Sequence, residues 1–250
     1  MEENNKKQVK LYLFLRGIRV LACNMPTHFM FIKKEVKYMK LILSSSDFIN
    51  EHSKQVILNN IDKELSNNKV LFIPNEKATR EKIKSDKYYD RLYRDGFTKR
   101  NNIYIFDETE PDRFRNLNID LIYVSGGNTF ATLDKMRKCG FDKDIISYIK
   151  NGVIYIGGSC GAHIASKNIK HLEKLDDNYL NIKDYDALGL FDGIIIPHYN
   201  EEEYNPKLRK QIYDNLLIEN KYKVYALTND DSLVIIDDTI IEYKGGNTHE

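Results

Sequence analysis

Gly157-Gly158-Ser159-Cys160-Gly161 fits G-x-S-x-G, a pattern that sets a hydroxyl nucleophile in a tight turn between a strand and a helix. Val153 to Ile156 are β-branched or aromatic, as in a buried strand, and small residues follow the serine as a helix start. Such an elbow strains the serine backbone and lifts its hydroxyl above the sheet. Glycines flank it because a Cβ there would strike the neighbouring strand and helix. Glycine and serine are also ordinary turn residues. The strand-to-helix position is what gives the pentapeptide its weight.

A serine hydroxyl needs a base, a group that orients the base, and donors for an oxyanion. Of the six histidines, His28 and His249 fall near the chain ends and His52 among charged residues of an early helix. His163, four residues past Ser159, points along the helix leaving the elbow, which suits a surface or packing role. His171 lies in a polar loop. His198 directly follows an apolar strand, where α/β folds place functional groups, and is the best base. The orienting carboxylate is expected between nucleophile and base. Asp176 lies there, with Asp177 and Glu173 as alternatives. Oxyanion donors are expected from the N–H of Cys160 and from the loop Gly126-Gly127-Asn128-Thr129, which follows a strand and opens a helix. By itself that loop reads equally as a phosphate cradle or a plain cap. A thiol reading centred on Cys160 fits less well, because it puts Ala162 where the elbow wants its last glycine.

The elements that must hold these groups can be read along the chain. Apolar runs at 39–43, 70–73, 102–106, 120–124, 153–156 and 193–196 predict strands. Helical spacing falls at 48–65, 79–94, 128–138, 141–150 and from Pro206 onward. Three short strands close the chain at 223–227, 232–236 and 239–243, the last two joined as a hairpin by Asp237-Asp238. The alternation predicts an α/β fold: a mainly parallel sheet sandwiched by helices, with a C-terminal β-hairpin. The tyrosines and basic residues at 79–94 read as a core-facing edge with a solvated side, not as a nucleic-acid face.

At 250 residues and 42% hydrophobic content the chain suits one such domain. Residues 1–38 stand apart as a basic extension expected to be poorly ordered, with the catalytic domain spanning 39–250. That extension has eight cations against three acids; Arg16 and Arg19 interrupt what a signal peptide would need as a continuous apolar region. The overall charge of +1 points to neither nucleic acid nor a membrane surface. Three cysteines imply no disulfide framework, hence a reducing, cytoplasmic setting.

Four segments together carry a specific resemblance: Tyr123 to Phe130 (YVSGGNTF), Gly157 to Ala162 (GGSCGA), Tyr185 to Phe191 (YDALGLF) and Pro197 to Asn200 (PHYN). In this order they resemble the serine peptidases of the peptidase E (aspartyl dipeptidase) family, over about 39–243, with cyanophycinase a more distant relative. The resemblance implies a class I glutamine amidotransferase-like, flavodoxin-like fold and a Ser–His–acid set. It matches Ser159 to the nucleophile, His198 to the histidine, Asp176 to the acid and Gly127 to the oxyanion loop. Gly126, Asn128 and Thr129 then line the substrate site. The implied activity is cofactor-free and metal-free hydrolysis of small peptides by a chain that acts alone or as a homodimer. The alternative is a silent amidotransferase-like domain that binds a ligand or partner. Two positions depart from the family: Cys160 stands where a small alanine is usual, and Glu201-Glu202-Glu203 sits poorly beside a pocket for aspartate.

Overall fold

In a computed structural model, which describes residues 38–245, the apolar runs become strands, and all but 193–196 join one sheet. Five of them are parallel: Lys40–Ser44 (β1), Val70–Ile73 (β2), Ile103–Ile105 (β3), Leu121–Val124 (β4) and Ile154–Gly158 (β5). Their order across the sheet is β3-β2-β4-β5-β1. Every residue of β2, β4 and β5 is buried, which is why these runs are continuously apolar instead of alternating.

Helices cover both faces. Leu41 and Leu43 of β1 pack with residues of Thr129–Lys138 (α4), Phe141–Lys150 (α5) and Cys160–Ala165 (α6). Ile42, pointing the other way, packs with residues of Glu51–Asn59 (α1), Arg80–Lys84 (α2) and Lys87–Asp95 (α3). The α/β sandwich and its mainly parallel sheet are those expected from the sequence.

Three details differ from the sequence reading. The helix expected over 79–94 is two helices, because Ser85 turns extended and its hydroxyl accepts the Lys87 N–H, starting α3 afresh. The helix expected over 48–65 stops at Asn59, where the Asn60 side chain turns back to the Val56 carbonyl. The strand Ile194–Ile196 (β6) pairs not with the main sheet but with Val224–Ala226 (β7), before and after Pro206–Glu219 (α7). The C-terminal hairpin, Ser232–Ile236 (β8) and Thr239–Tyr243 (β9), extends the central sheet through antiparallel pairing of β8 with β1.

Expectations for residues 1–37 lie outside the described residues, as do residues 246–250. Among the described residues, no helix is long and apolar enough to cross a membrane. Because β1 to β5 run parallel, the loops after β1, β2, β4 and β5 all open at one edge of the sheet.

Candidate active site

Ser159 lies between β5 and α6 at φ 49° and ψ −106°, a conformation that non-glycine residues rarely adopt. Two backbone bonds hold the turn: the Ser159 N–H donates to Ser44 O (2.9 Å) and His163 N–H donates to Ser159 O (3.0 Å). The flanking glycines are demanded by close approach. A Cβ on Gly161 would lie 2.5 Å from the Val124 carbonyl oxygen, and one on Gly157 would lie 2.6 Å from the Gly161 carbonyl carbon.

His198 follows β6, also at positive φ (54°), and is 7% exposed. Its Nε2 lies 3.0 Å from Ser159 Oγ, while Nδ1 lies 2.7 Å from Asn229 Oδ1. That amide oxygen also accepts from Ser46 Oγ at 3.0 Å. An oxygen that can only accept places the proton on Nδ1 and leaves the Nε2 lone pair for the serine hydroxyl. The ring is further fixed by Tyr204, stacked on it at 3.9 Å and 9°.

Residues 40–243 match the family described as peptidase family S51. The chain belongs to that family. An uncharacterized peptidase of Listeria monocytogenes (serovar 1/2a) is 38% identical over 120 residues, 46% of this chain and 56% of the relative. The chain thus spans little more than half the length of that relative. An uncharacterized peptidase of Pasteurella multocida is 30% identical over 183 residues, 64% of this chain and 86% of its own. A crystal structure of a candidate peptidase E protein from L. monocytogenes EGD-e superposes with a TM-score of 0.64 at 26% identity, over 84% of this chain and all of that one.

In this S51 chain the carboxylate expected behind the histidine is elsewhere. Asp176 Oδ2 accepts the Thr129 N–H at 2.8 Å, at the start of α4, where free helix N–H groups attract an anion. The short helix at 170–174 and the turn closed by Asp176 N–H on Leu172 O carry it there. Neither alternative fills the gap, since Glu173 receives the Tyr185 hydroxyl and Asp177 meets Asn128 through its backbone carbonyl. Asn229, on the loop between β7 and β8, occupies the place instead.

Three consecutive serines, the last residue of β1 (Ser44) and the two that follow it, tie these parts together. Ser44 O receives the elbow N–H. Ser45 Oγ accepts the His198 N–H and donates to Leu227 O, both at 3.0 Å, and Ser46 reaches Asn229. The signal was present as a polar triplet at a strand's C-terminal edge. Ser45→Ala would leave the buried His198 N–H without its acceptor, while Leu227 O keeps the Tyr199 N–H (2.8 Å), so stability should fall by about 1–3 kcal/mol. Thermal unfolding of that variant checks this.

The loop expected to supply donors lies on the other side of Ser159. Gly126 lies beside Ser159, a Cβ there being 4.0 Å from the serine Cβ. The N–H groups of Gly127 and Cys160 have no acceptor among the described residues. Asn128 caps α4 through Ala131 N–H (2.9 Å), and Thr129 Oγ1 lies 3.2 Å from His163 Nδ1. His163 is therefore a buried neighbour of the site, not a surface group. Burial holds the imidazoles neutral: His163 is driven well below its ordinary value and His171 to about 4. Cys160 is 1% exposed, and burial pushes its thiol up to about 12, so it remains protonated and unreactive at neutral pH.

Proposed function

We propose that this chain is a cofactor-free serine peptidase that hydrolyses small peptides, dipeptides among them, through an acyl-enzyme on Ser159. The observation that carries the reading is the relay Ser159 Oγ, His198 Nε2 and Asn229 Oδ1, at 3.0 and 2.7 Å. In the reaction His198 Nε2 takes the Ser159 proton as Oγ adds to the scissile carbonyl. Asn229 holds the ring in the tautomer that can do so. The N–H groups of Gly127 and Cys160 bind the oxyanion, and Gly126, Asn128 and Thr129 shape the substrate's place beside them. The imidazolium then returns its proton to the departing amine. Water repeats the sequence to release the acyl group. Family membership and the strained elbow support this reading over a silent binding domain, and Cys139 and Cys160, free among the described residues, support a cytoplasmic setting.

Asn229 is uncharged, so no carboxylate bonds Nδ1 of a protonated His198. Burial, aided by the Arg209 charge, lowers the imidazole from its ordinary 6.5, against an opposing pull from Asn229 and Glu201. The base works only when neutral, so activity rises with pH through that lowered value. The acidic limb of kcat/KM is expected to have its midpoint below 6.5, measurable in a pH–rate profile.

A second feature bears on specificity. Arg209 is 7% exposed, and its Nη1 has no hydrogen-bond partner among the described residues. A buried guanidinium of this kind favours an acidic group in the substrate, whereas Glu201, bound to the Asn229 N–H (2.8 Å), opposes one. A screen of dipeptides with varied N-terminal residues, aspartate included, with Ser159→Ala alongside, tests both points. Turnover that survives in Ser159→Ala would remove the proposal.

A further inference from the structure

Glu76 follows β2, and its half-buried carboxylate lies against the donor loop after β4. Oε2 accepts the Asn128 N–H at 2.9 Å. A Cβ on Gly127 would lie 2.6 Å from that same oxygen and 2.5 Å from Asn75 Cβ, and Gly127 stands at φ 153°. The loop is therefore packed directly onto the Glu76 side chain. Glu76 forms no ion pair among the described residues, so its hydrogen bond to the loop is not shared with a neighbouring cation.

Consecutive glycines leave the peptide units of this loop unusually free to rotate. A flipped unit would present a carbonyl dipole where an N–H is required, turning stabilisation of an oxyanion into repulsion. Peptide planarity means that anchoring the Asn128 N–H also fixes the Gly127 carbonyl, which shares its plane. The next N–H along the loop, at Thr129, is held by Asp176 (2.8 Å). Only the glycine N–H groups are left without an acceptor among the described residues. We propose that Glu76 is a positioning residue that anchors the 127–128 peptide, one of the two planes meeting at the Gly127 Cα, and so limits how far the adjoining 126–127 plane, which carries the Gly127 N–H, swings from where the oxyanion forms. A charged acceptor suits this task, being stronger than a neutral one. The inference rests on the hydrolase reading of Ser159 and adds to it a residue that touches neither substrate nor nucleophile.

The test compares Glu76→Ala and Glu76→Gln with the wild type, once Ser159-dependent turnover of a dipeptide has been established. A wild type without such turnover would overturn the hydrolase reading, and this inference with it. Complete loss of one oxyanion donor costs about 10²–10³ in kcat, so a loosened donor should cost about 10–100-fold. Glu76→Ala is expected to lose that much in kcat with KM nearly unchanged. Its affinity for a peptide boronate, which places a tetrahedral adduct on Ser159, should weaken by a similar factor. Glu76→Gln keeps an acceptor oxygen and should recover most of both. Should Glu76→Ala not fold, Glu76→Asp, which shortens the reach but keeps the charge, takes its place with the same expected loss. Unchanged kcat in the variant, an equal rise in KM, unchanged boronate affinity, or failure of Glu76→Gln to rescue would each overturn the assignment.

Discussion

Ser159→Ala and His198→Ala are each expected to lower kcat by about 10⁴–10⁶, and the double variant should be no worse than either single one. The two groups act on one proton, so removing either removes the step. KM should change little, because the hydroxyl and the imidazole meet the substrate only at its reacting carbon and leaving group. The fold should survive the serine change: the elbow is held by Ser159 N–H on Ser44 O and by His163 N–H on Ser159 O, neither involving the hydroxyl. Cys160→Ala is the control. Its thiol, pushed up to about 12, has no part in the chemistry, so that variant should stay within a few-fold of the wild-type rate. Steady-state kinetics with circular dichroism separates these outcomes from unfolding.

Asn229→Ala is expected to cost about 10²–10⁴ in kcat. Without the amide oxygen the Nδ1 proton loses its acceptor, and the ring can turn or take the tautomer that leaves no lone pair for Ser159. The Ser46 hydroxyl loses its partner at the same time. Asn229→Asp makes a separate expectation with a definite sign. A carboxylate 2.7 Å from Nδ1 would favour the imidazolium and raise the His198 pKa. A higher pKa keeps the base protonated to higher pH, so the acidic limb of the rate profile should move up. No movement would mean that residue 229 does not govern the base.

Much of the fold was legible because its strands and helices are written in strong periodicity. The runs 70–73 and 121–124 are buried on both faces, and α5 begins and ends where its spacing and Asn151-Gly152 say it should. The pairing of Ser159 with His198 was equally legible, since an elbow motif and a histidine at a strand end both carry local signals. Asn229 was not. The sequence predicts a carboxylate from the stretch between Ser159 and His198, whereas the structure supplies an amide from beyond both. Which loop lies behind His198 depends on β6 pairing with β7, a long-range contact with no periodicity to announce it. Asp176 misled for a related reason: an acid in a polar loop has many uses, and here the open N–H groups of α4 compete for it successfully. The serine triplet at the end of β1 was hidden in plain composition, because a run of serines reads as a turn until its partners at 159, 198, 227 and 229 are known.

The central claim is that the 159 hydroxyl is the activated nucleophile, and direct chemical labelling tests it. The purified protein should react with a serine-directed fluorophosphonate to one equivalent, with the added mass on the peptide containing Ser159. His198→Ala should slow that labelling sharply while leaving the protein folded. A label that settles on another residue, or peptide hydrolysis that continues with Ser159 fully unmodified, would contradict the account.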